Sequence, residues 1–196
     1  MKFIQSFLLG IFGAIGALML EIIALILFAP SAISTESVYG VLNSLNYLFF
    51  VVILIEELSK YAFISNPIKR ISEERTIVSN SLFFGLGFSV LELFFAYWNF
   101  TKGISPDFLG TAGIVIIHAS TSAIIAYSIG KQKNNAIFKF FFGLVPAFLV
   151  HSAYNISRIS EISSQKSANI SIMVIALTVA AILLIVSRNS AAKDKI

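Results

Sequence analysis

The sequence predicts an all-α membrane protein, a bundle of about six transmembrane helices. Hydrophobic residues make up 57% of the 196-residue chain and charged residues only 12%, whereas a soluble domain carries about 25% charged residues. The mean hydropathy is +0.88. The apolar residues fall into six segments, each close to the ~20 residues that a helix needs to cross a bilayer. These observations indicate a single integral membrane domain over residues 1–196.

The six predicted helices, in chain order, cover residues 3–28, 39–64, 78–100, 108–129, 137–157 and 168–186. The first is too long for the core of a signal peptide, and no small-residue cleavage site follows it, so we interpret it as a retained span. Its Gly10, Gly13 and Gly16 predict a surface for close helix packing. The longest connection, residues 65–77, carries Pro67 and several charges, and we expect a solvated or interfacial turn there.

Basic residues in the connections predict how the helices are oriented, because cytoplasmic loops carry an excess of lysine and arginine. With the N-terminus inside, the cytoplasmic side collects ten of them: Lys2, Lys69, Arg70, Arg75, Lys131, Lys133, Lys139, Arg188, Lys193 and Lys195. The opposite side has only Lys102, Arg158 and Lys166. We therefore expect both termini in the cytoplasm. No basic run interleaved with aromatics indicates nucleic-acid binding, and the absence of cysteine excludes disulfides and thiolate chemistry.

Ionisable residues interrupt four of the apolar segments. They are the adjacent Glu56 and Glu57, then Glu92, His118 and His151, and these two histidines are the only ones in the chain. A charge near the bilayer centre costs about 2.5–3.5 kcal/mol or more, so such residues usually have a function. At ~1.5 Å per helical residue, Glu57 lies about 12 Å from the cytoplasmic end of its helix and the other three roughly 18–21 Å from theirs. This shared depth predicts a buried catalytic or transport site.

Spacings of four residues place further polar groups beside these residues. The pairs are Glu56 with Lys60, His118 with Ser122, and His151 with Asn155. The first spacing predicts an ion pair between Glu56 and Lys60, which by itself could be purely structural. Gly85 and Gly87 precede Glu92 by one to two turns, where another helix or a substrate backbone could approach. Glu21 has no partner that is evident in the sequence, and we interpret it as structural or interfacial.

Taken in order, the polar motifs resemble those of the PrsW family of intramembrane proteases, which is grouped with the CAAX prenyl protease and bacteriocin-processing superfamily. The motifs are Glu56-Glu57-x-x-Lys60, Phe88-x-x-x-Glu92, His118-x-x-x-Ser122 and His151-x-x-x-Asn155. The resemblance extends from about Leu54 to Asn155, within a motif-bearing core of about residues 40–158. Glu92 stands where the CAAX branch has histidine, which favours PrsW over an enzyme for prenylated substrates.

The resemblance implies a glutamate-dependent endopeptidase for a membrane-anchored substrate of the anti-sigma-factor kind, in the cytoplasmic membrane of a prokaryote. Its partners would be that substrate and the lipid bilayer. Peptide hydrolysis needs a base, which Glu56 or Glu57 could supply, while Glu92 could share the proton or position the water. His151 with Asn155 could donate hydrogen bonds to the oxyanion. His118 could support either task, and Lys60 and Ser122 are expected in supporting positions.

Two alternatives use the same side chains. Glu56, Glu92, His118 and His151 could hold zinc, since two or three such ligands plus water form a catalytic zinc site. Because the sequence has no His-Glu-x-x-His motif, we expect metal-free hydrolysis without a cofactor and keep zinc as the alternative. A proton- or cation-coupled transporter could also use titrating glutamates and a histidine relay, although the sequence lacks the internal repeat of many transporters.

Overall fold

The computed structural model of the chain describes residues 2–28, 47–100, 108–131, 135–159 and 165–193, and these residues contain helices and no strand. The helices are α1 (Lys2–Phe28), α2 (Tyr47–Phe63), α3 (Ile77–Phe100), α4 (Phe108–Lys131), α5 (Ala136–Ile159) and α6 (Gln165–Lys193). The predicted all-α bundle is confirmed. The start of the predicted second span, residues 39–46, and the basic residues Lys102, Lys133 and Lys195 lie outside the described residues.

Five of the described helices are long and apolar enough to cross a membrane. These stretches are Lys2–Phe28, Ile77–Trp98, Phe108–Lys131, Ile137–Arg158 and Ala168–Asn189. The remaining helix, α2, is described over 17 residues and carries three charged side chains, Glu56, Glu57 and Lys60. Large apolar side chains are exposed along α1 and α6, as expected of surfaces that face lipid tails.

The α2 helix extends further than the sequence predicts. A π-helical turn, Ile64–Ile68, and one more turn, Lys69–Ile71, continue it past Pro67. The predicted turn over residues 65–77 is therefore wrong except for residues 72–76. Burial of the Ile64 and Ile68 side chains stabilises this continuation. The wider π turn accommodates Pro67, whose backbone has no N–H to donate. The seven added residues place Glu57 roughly 10 Å deeper, level with the other buried ionisable groups.

Close packing of α1 on α3 depends on small residues in α1. A Cβ atom at Gly10 would overlap the backbone of Phe84, and one at Gly13 would press on the ring of the same residue. The predicted packing surface is thus confirmed at these two glycines. It is wrong at Gly16, where no described atom lies within 4 Å of the position that a Cβ would take.

The second run of glycines brings α3 against two other helices. A Cβ at Gly87 would overlap the backbone of Phe7 in α1, and one at Gly85 would overlap the backbone of His118 in α4. The expectation that another helix approaches these glycines is confirmed. The α4 helix packs against α3, α5 and α6, and most of its residues from His118 to Ile129 are buried. The ionisable residues of α2, α3 and α5 are therefore gathered around a central helix.

Candidate active site

One face of α2 carries a fully buried ion pair. The Lys60 ammonium donates hydrogen bonds to Glu57 Oε1 at 2.6 Å and to Thr121 Oγ1 of α4 at 3.0 Å, and neither Lys60 nor Glu57 has any exposed side-chain surface. The predicted Glu56–Lys60 pair is therefore wrong. Residues three apart share a helix face as well as residues four apart, and the hydroxyl of Thr121 lies on the side to which Glu57 points.

His151 of α5 lies between the two adjacent glutamates. Its Nδ1 is 2.6 Å from Glu57 Oε1, and its Nε2 is 3.6 Å from Glu56 Oε2. Because Glu57 is paired with the Lys60 ammonium, the carboxylate is the acceptor, and we assign the ring hydrogen of His151 to Nδ1. The lone pair of Nε2 then points toward Glu56. In metal sites, a carboxylate commonly fixes the tautomer of a histidine ligand in this way, by accepting a hydrogen bond from the ring nitrogen that does not bind the metal.

A second glutamate–histidine pair connects α3 and α4. His118 Nε2 and Glu92 Oε2 are 2.5 Å apart. The histidine is buried, whereas the glutamate side chain is 44% exposed. The imidazole rings of His118 and His151 lie edge to face with their centroids 5.1 Å apart. The two glutamate–histidine pairs are therefore neighbours in one cluster.

This cluster borders a cavity of about 90 Å³ among α1, α2, α3 and α4. The polar groups on its walls are Glu21, Glu56, Glu92 and His118, and the apolar ones are Ala14, Ala17, Leu18, Phe88, Leu91 and Phe95. At about 30 Å³ per molecule, the volume corresponds to roughly three waters. It therefore has room for water next to two of the three carboxylates that the sequence predicts at the site, Glu56 and Glu92.

Glu21 is the cavity residue that the sequence analysis missed. We interpreted it as structural or interfacial, yet it lines the same cavity as Glu56 and Glu92. Its depth along α1, roughly 28 Å from Lys2, differs from that of the other ionisable groups. It also has no motif partner at helical spacing. The one available signal was the rarity of a charged residue within an apolar span.

Two predicted residues stand apart from the cavity. Asn155 lies one turn beyond His151 on α5, is partly buried, and is not among the described residues that line the cavity. Ser122 is fully buried in α4, and its hydroxyl has no hydrogen-bond partner among the described atoms. The predicted catalytic role of Asn155 and the supporting role of Ser122 stay predictions.

Three of the gathered side chains could hold a metal ion. Glu56, His118 and His151 each offer a ligand atom, and these atoms lie within 4.8 Å of one another. A carboxylate with two imidazoles is a ligand set found in catalytic zinc sites. The predicted fourth ligand, Glu92, is not part of this group but contacts His118. The residues present therefore fit a metal site with three protein ligands.

Comparison with known proteins identifies the family. Neither the curated proteins nor the solved structures that were searched include a match. The family model described as "PrsW family intramembrane metalloprotease" matches residues 2–186, which include every cavity residue named above. The family predicted from the polar motifs is confirmed, and a peptidase is favoured over a transporter. With its apolar helices, the chain is an integral membrane peptidase that belongs to the PrsW family of intramembrane metalloproteases.

Proposed function

We propose that this peptidase hydrolyses a peptide bond within a membrane-anchored protein of the anti-sigma-factor kind, in the cytoplasmic membrane of a prokaryote. The observation that carries the proposal is the convergence of Glu56, Glu92, His118 and His151, from four helices, around the cavity and its edge. Ionisable groups at membrane depth are expensive and mark functional sites. Carboxylates and imidazoles are also the groups that move protons in peptide hydrolysis.

We further propose that Glu56, His118 and His151 hold a zinc ion, in preference to the metal-free hydrolysis predicted from the sequence. Their ligand atoms are close enough together, and Glu56 Oε2 is buried without a hydrogen-bond partner among the described atoms. A buried carboxylate oxygen without a partner is unfavourable, and a cation would relieve this. When bound, the metal supplies Lewis-acid polarisation of a carbonyl and a more acidic water.

Glu92 is the proposed proton carrier. It lines the cavity, and its side chain is 44% exposed, so the described residues do not enclose it. As the water oxygen bonds to the scissile carbonyl carbon, the carboxylate accepts a proton from the water. It then delivers that proton to the leaving nitrogen as the carbon–nitrogen bond breaks. The contact with His118 Nε2 at 2.5 Å holds the carboxylate in position.

Glu57 is proposed as a positioning residue rather than as the base. Its Oε1 is already within 2.6 Å of both Lys60 Nζ and His151 Nδ1, and it does not line the cavity. The carboxylate therefore orients the His151 ring, and Lys60 balances its charge. Asn155 lies one turn further along α5. If the scissile carbonyl is polarised as proposed above, a hydrogen bond from Asn155 would add little to catalysis.

The test is cleavage of a single-pass, membrane-anchored reporter by the purified full-length protein in liposomes. Glu92→Gln should lower turnover by roughly 10²–10⁴-fold, the range for loss of a general acid or base. Strong chelators should abolish cleavage, and added zinc should restore it. Glu73→Gln is the matched control, because it makes the same chemical change on an exposed side chain and should leave turnover near that of the wild type.

Two other results would contradict parts of this proposal. Cleavage that resists chelation but falls by roughly 10²–10³-fold in Asn155→Ala, the scale of one lost oxyanion donor, would support the metal-free mechanism. An absence of cleavage combined with ion flux through the liposome membrane would contradict the endopeptidase proposal.

A further inference from the structure

Glu21 is the cavity glutamate that the proposed mechanism does not use. Glu56 lies 3.6 Å from His151 and Glu92 lies 2.5 Å from His118. Within the described residues, by contrast, the Glu21 carboxylate makes no hydrogen bond or ion pair. It lines the same cavity as Glu56 and Glu92. Among the described residues, the Glu21 carboxyl therefore has unused capacity to accept hydrogen bonds at the cavity.

The wall that carries Glu21 is lined mostly by small side chains. α1 contacts the backbone of α3 at Gly10, and one to three turns later residues of both helices line the cavity. Beside Glu21 the wall is made of Ala14, Ala17 and Leu18, two of which have minimal side chains. Away from this wall α1 exposes large apolar residues such as Leu20, at 52%. α1 therefore lies between the cavity and an apolar surface of the bundle.

A peptide that is cut at membrane depth needs hydrogen-bond acceptors. A helical substrate segment must unwind locally before a water can attack its backbone carbonyl, which frees backbone N–H groups. Away from bulk water, each backbone N–H group that finds no acceptor lowers the affinity for the peptide several-fold. Glu92 already contacts His118, and Glu56 is a proposed metal ligand. The carboxyl oxygens of Glu21, by contrast, are acceptors without a partner among the described residues.

We propose that Glu21 binds the substrate, with its carboxylate accepting hydrogen bonds from backbone N–H groups of the unwound segment beside the scissile bond. This role rests on the proposed endopeptidase function. Glu21 holds the peptide in both the ground state and the transition state and takes no part in bond making or breaking. Its loss therefore raises KM and leaves kcat unchanged.

The kinetic test uses the full-length protein and the anchored reporter. Glu21→Ala should raise KM by about 10-fold to 100-fold, the effect of losing hydrogen bonds to a charged group, with kcat close to that of the wild type. Glu21→Gln keeps the shape and one acceptor oxygen, so its KM should be intermediate. Leu20→Ala, on the exposed face of the same helix, is the matched control and should leave both constants unchanged.

A cross-linking test gives a readout that is independent of turnover. Because the chain has no cysteine, Glu21→Cys introduces a unique thiol, and Glu92→Gln in the same chain stalls cleavage. A reporter with one cysteine next to the bond that the wild type cuts should form a disulfide with this variant when a mild two-electron oxidant is added to take up the electrons of the two thiols. Leu20→Cys in the same background should not cross-link.

The outcomes separate the two proposals. If the wild type cuts no anchored reporter, the endopeptidase proposal fails, and the role of Glu21 fails with it. If the wild type is active but KM is unchanged in both Glu21 variants and position 21 does not cross-link, only the role of Glu21 is overturned. A fall in kcat at unchanged KM also overturns it, since the residue would then act on the reacting atoms.

Discussion

Replacing Lys60 with methionine tests how the buried charge of α2 is balanced. Methionine keeps a long, unbranched side chain but removes the ammonium that lies 2.6 Å from Glu57 Oε1 and 3.0 Å from Thr121 Oγ1. Both members of the ion pair are fully buried. In the variant, Glu57 remains inside the bundle with His151 as its one hydrogen-bond partner among the described residues.

We expect Lys60→Met to lose much of its stability, because a buried charge without its partner is unfavourable. Removing one member of a buried ion pair typically costs about 3–5 kcal/mol. In a chain of this size each kcal/mol lowers Tm by about 2–4 °C, so Lys60→Met should lower Tm by roughly 6–20 °C. Adding Glu57→Gln should recover most of the loss, because a neutral amide leaves no isolated charge and can still hydrogen-bond His151.

Thermal unfolding of the purified variants in one detergent measures these shifts. Lys69→Met is the matched control, since it makes the same change at an exposed position on the continuation of α2. A surface substitution of this kind should change the free energy of unfolding by no more than about 0.5 kcal/mol. If Lys60→Met were as stable as Lys69→Met, or if the double variant were less stable than Lys60→Met, Lys60 would not be the counter-charge of Glu57.

Two further predictions concern helix packing and orientation. Gly10→Ala should lower the free energy of unfolding by about 1–3 kcal/mol, because its methyl group would overlap the backbone of Phe84. Gly16→Ala should leave the free energy of unfolding unchanged. Equal unfolding temperatures for the two variants would contradict this packing. Reporters fused after Val186 and within residues 72–76 should register as cytoplasmic, since basic residues concentrate on the inner side of the membrane. A reporter near Lys102 should register as external. An external C-terminus would contradict this orientation.

The fold class, and most residues of the candidate site, were predictable from the sequence. In the bilayer core, backbone N–H and C=O groups must bond within their own segment, so a long apolar stretch becomes a helix whatever its neighbours are. For the same reason a charge within such a stretch is conspicuous. Glu56, Glu92, His118 and His151 could therefore be selected before any packing was known, and the structure brings them together.

The partner of each carboxylate was decided by the tertiary structure. Glu56 and Glu57 are neighbours in sequence but point about 100° apart around the helix axis. Spacing alone allows Lys60 to pair with either of them. The bundle selects Glu57, because Thr121 and His151 lie on that side, and it leaves Glu56 facing the cavity.

The position of the cavity also depends on contacts between distant parts of the chain. A proline predicts the end of a helix, yet burial of Ile64 and Ile68 carries α2 past Pro67 and sets the depth of its glutamates. Glu21 borders the cavity because α1 packs against α3, with a close contact at Gly10, and both helices contribute to the cavity wall. Apolar composition and charge are properties of each segment and can be read locally. The neighbours of a side chain depend on how six helices pack, which no single segment specifies.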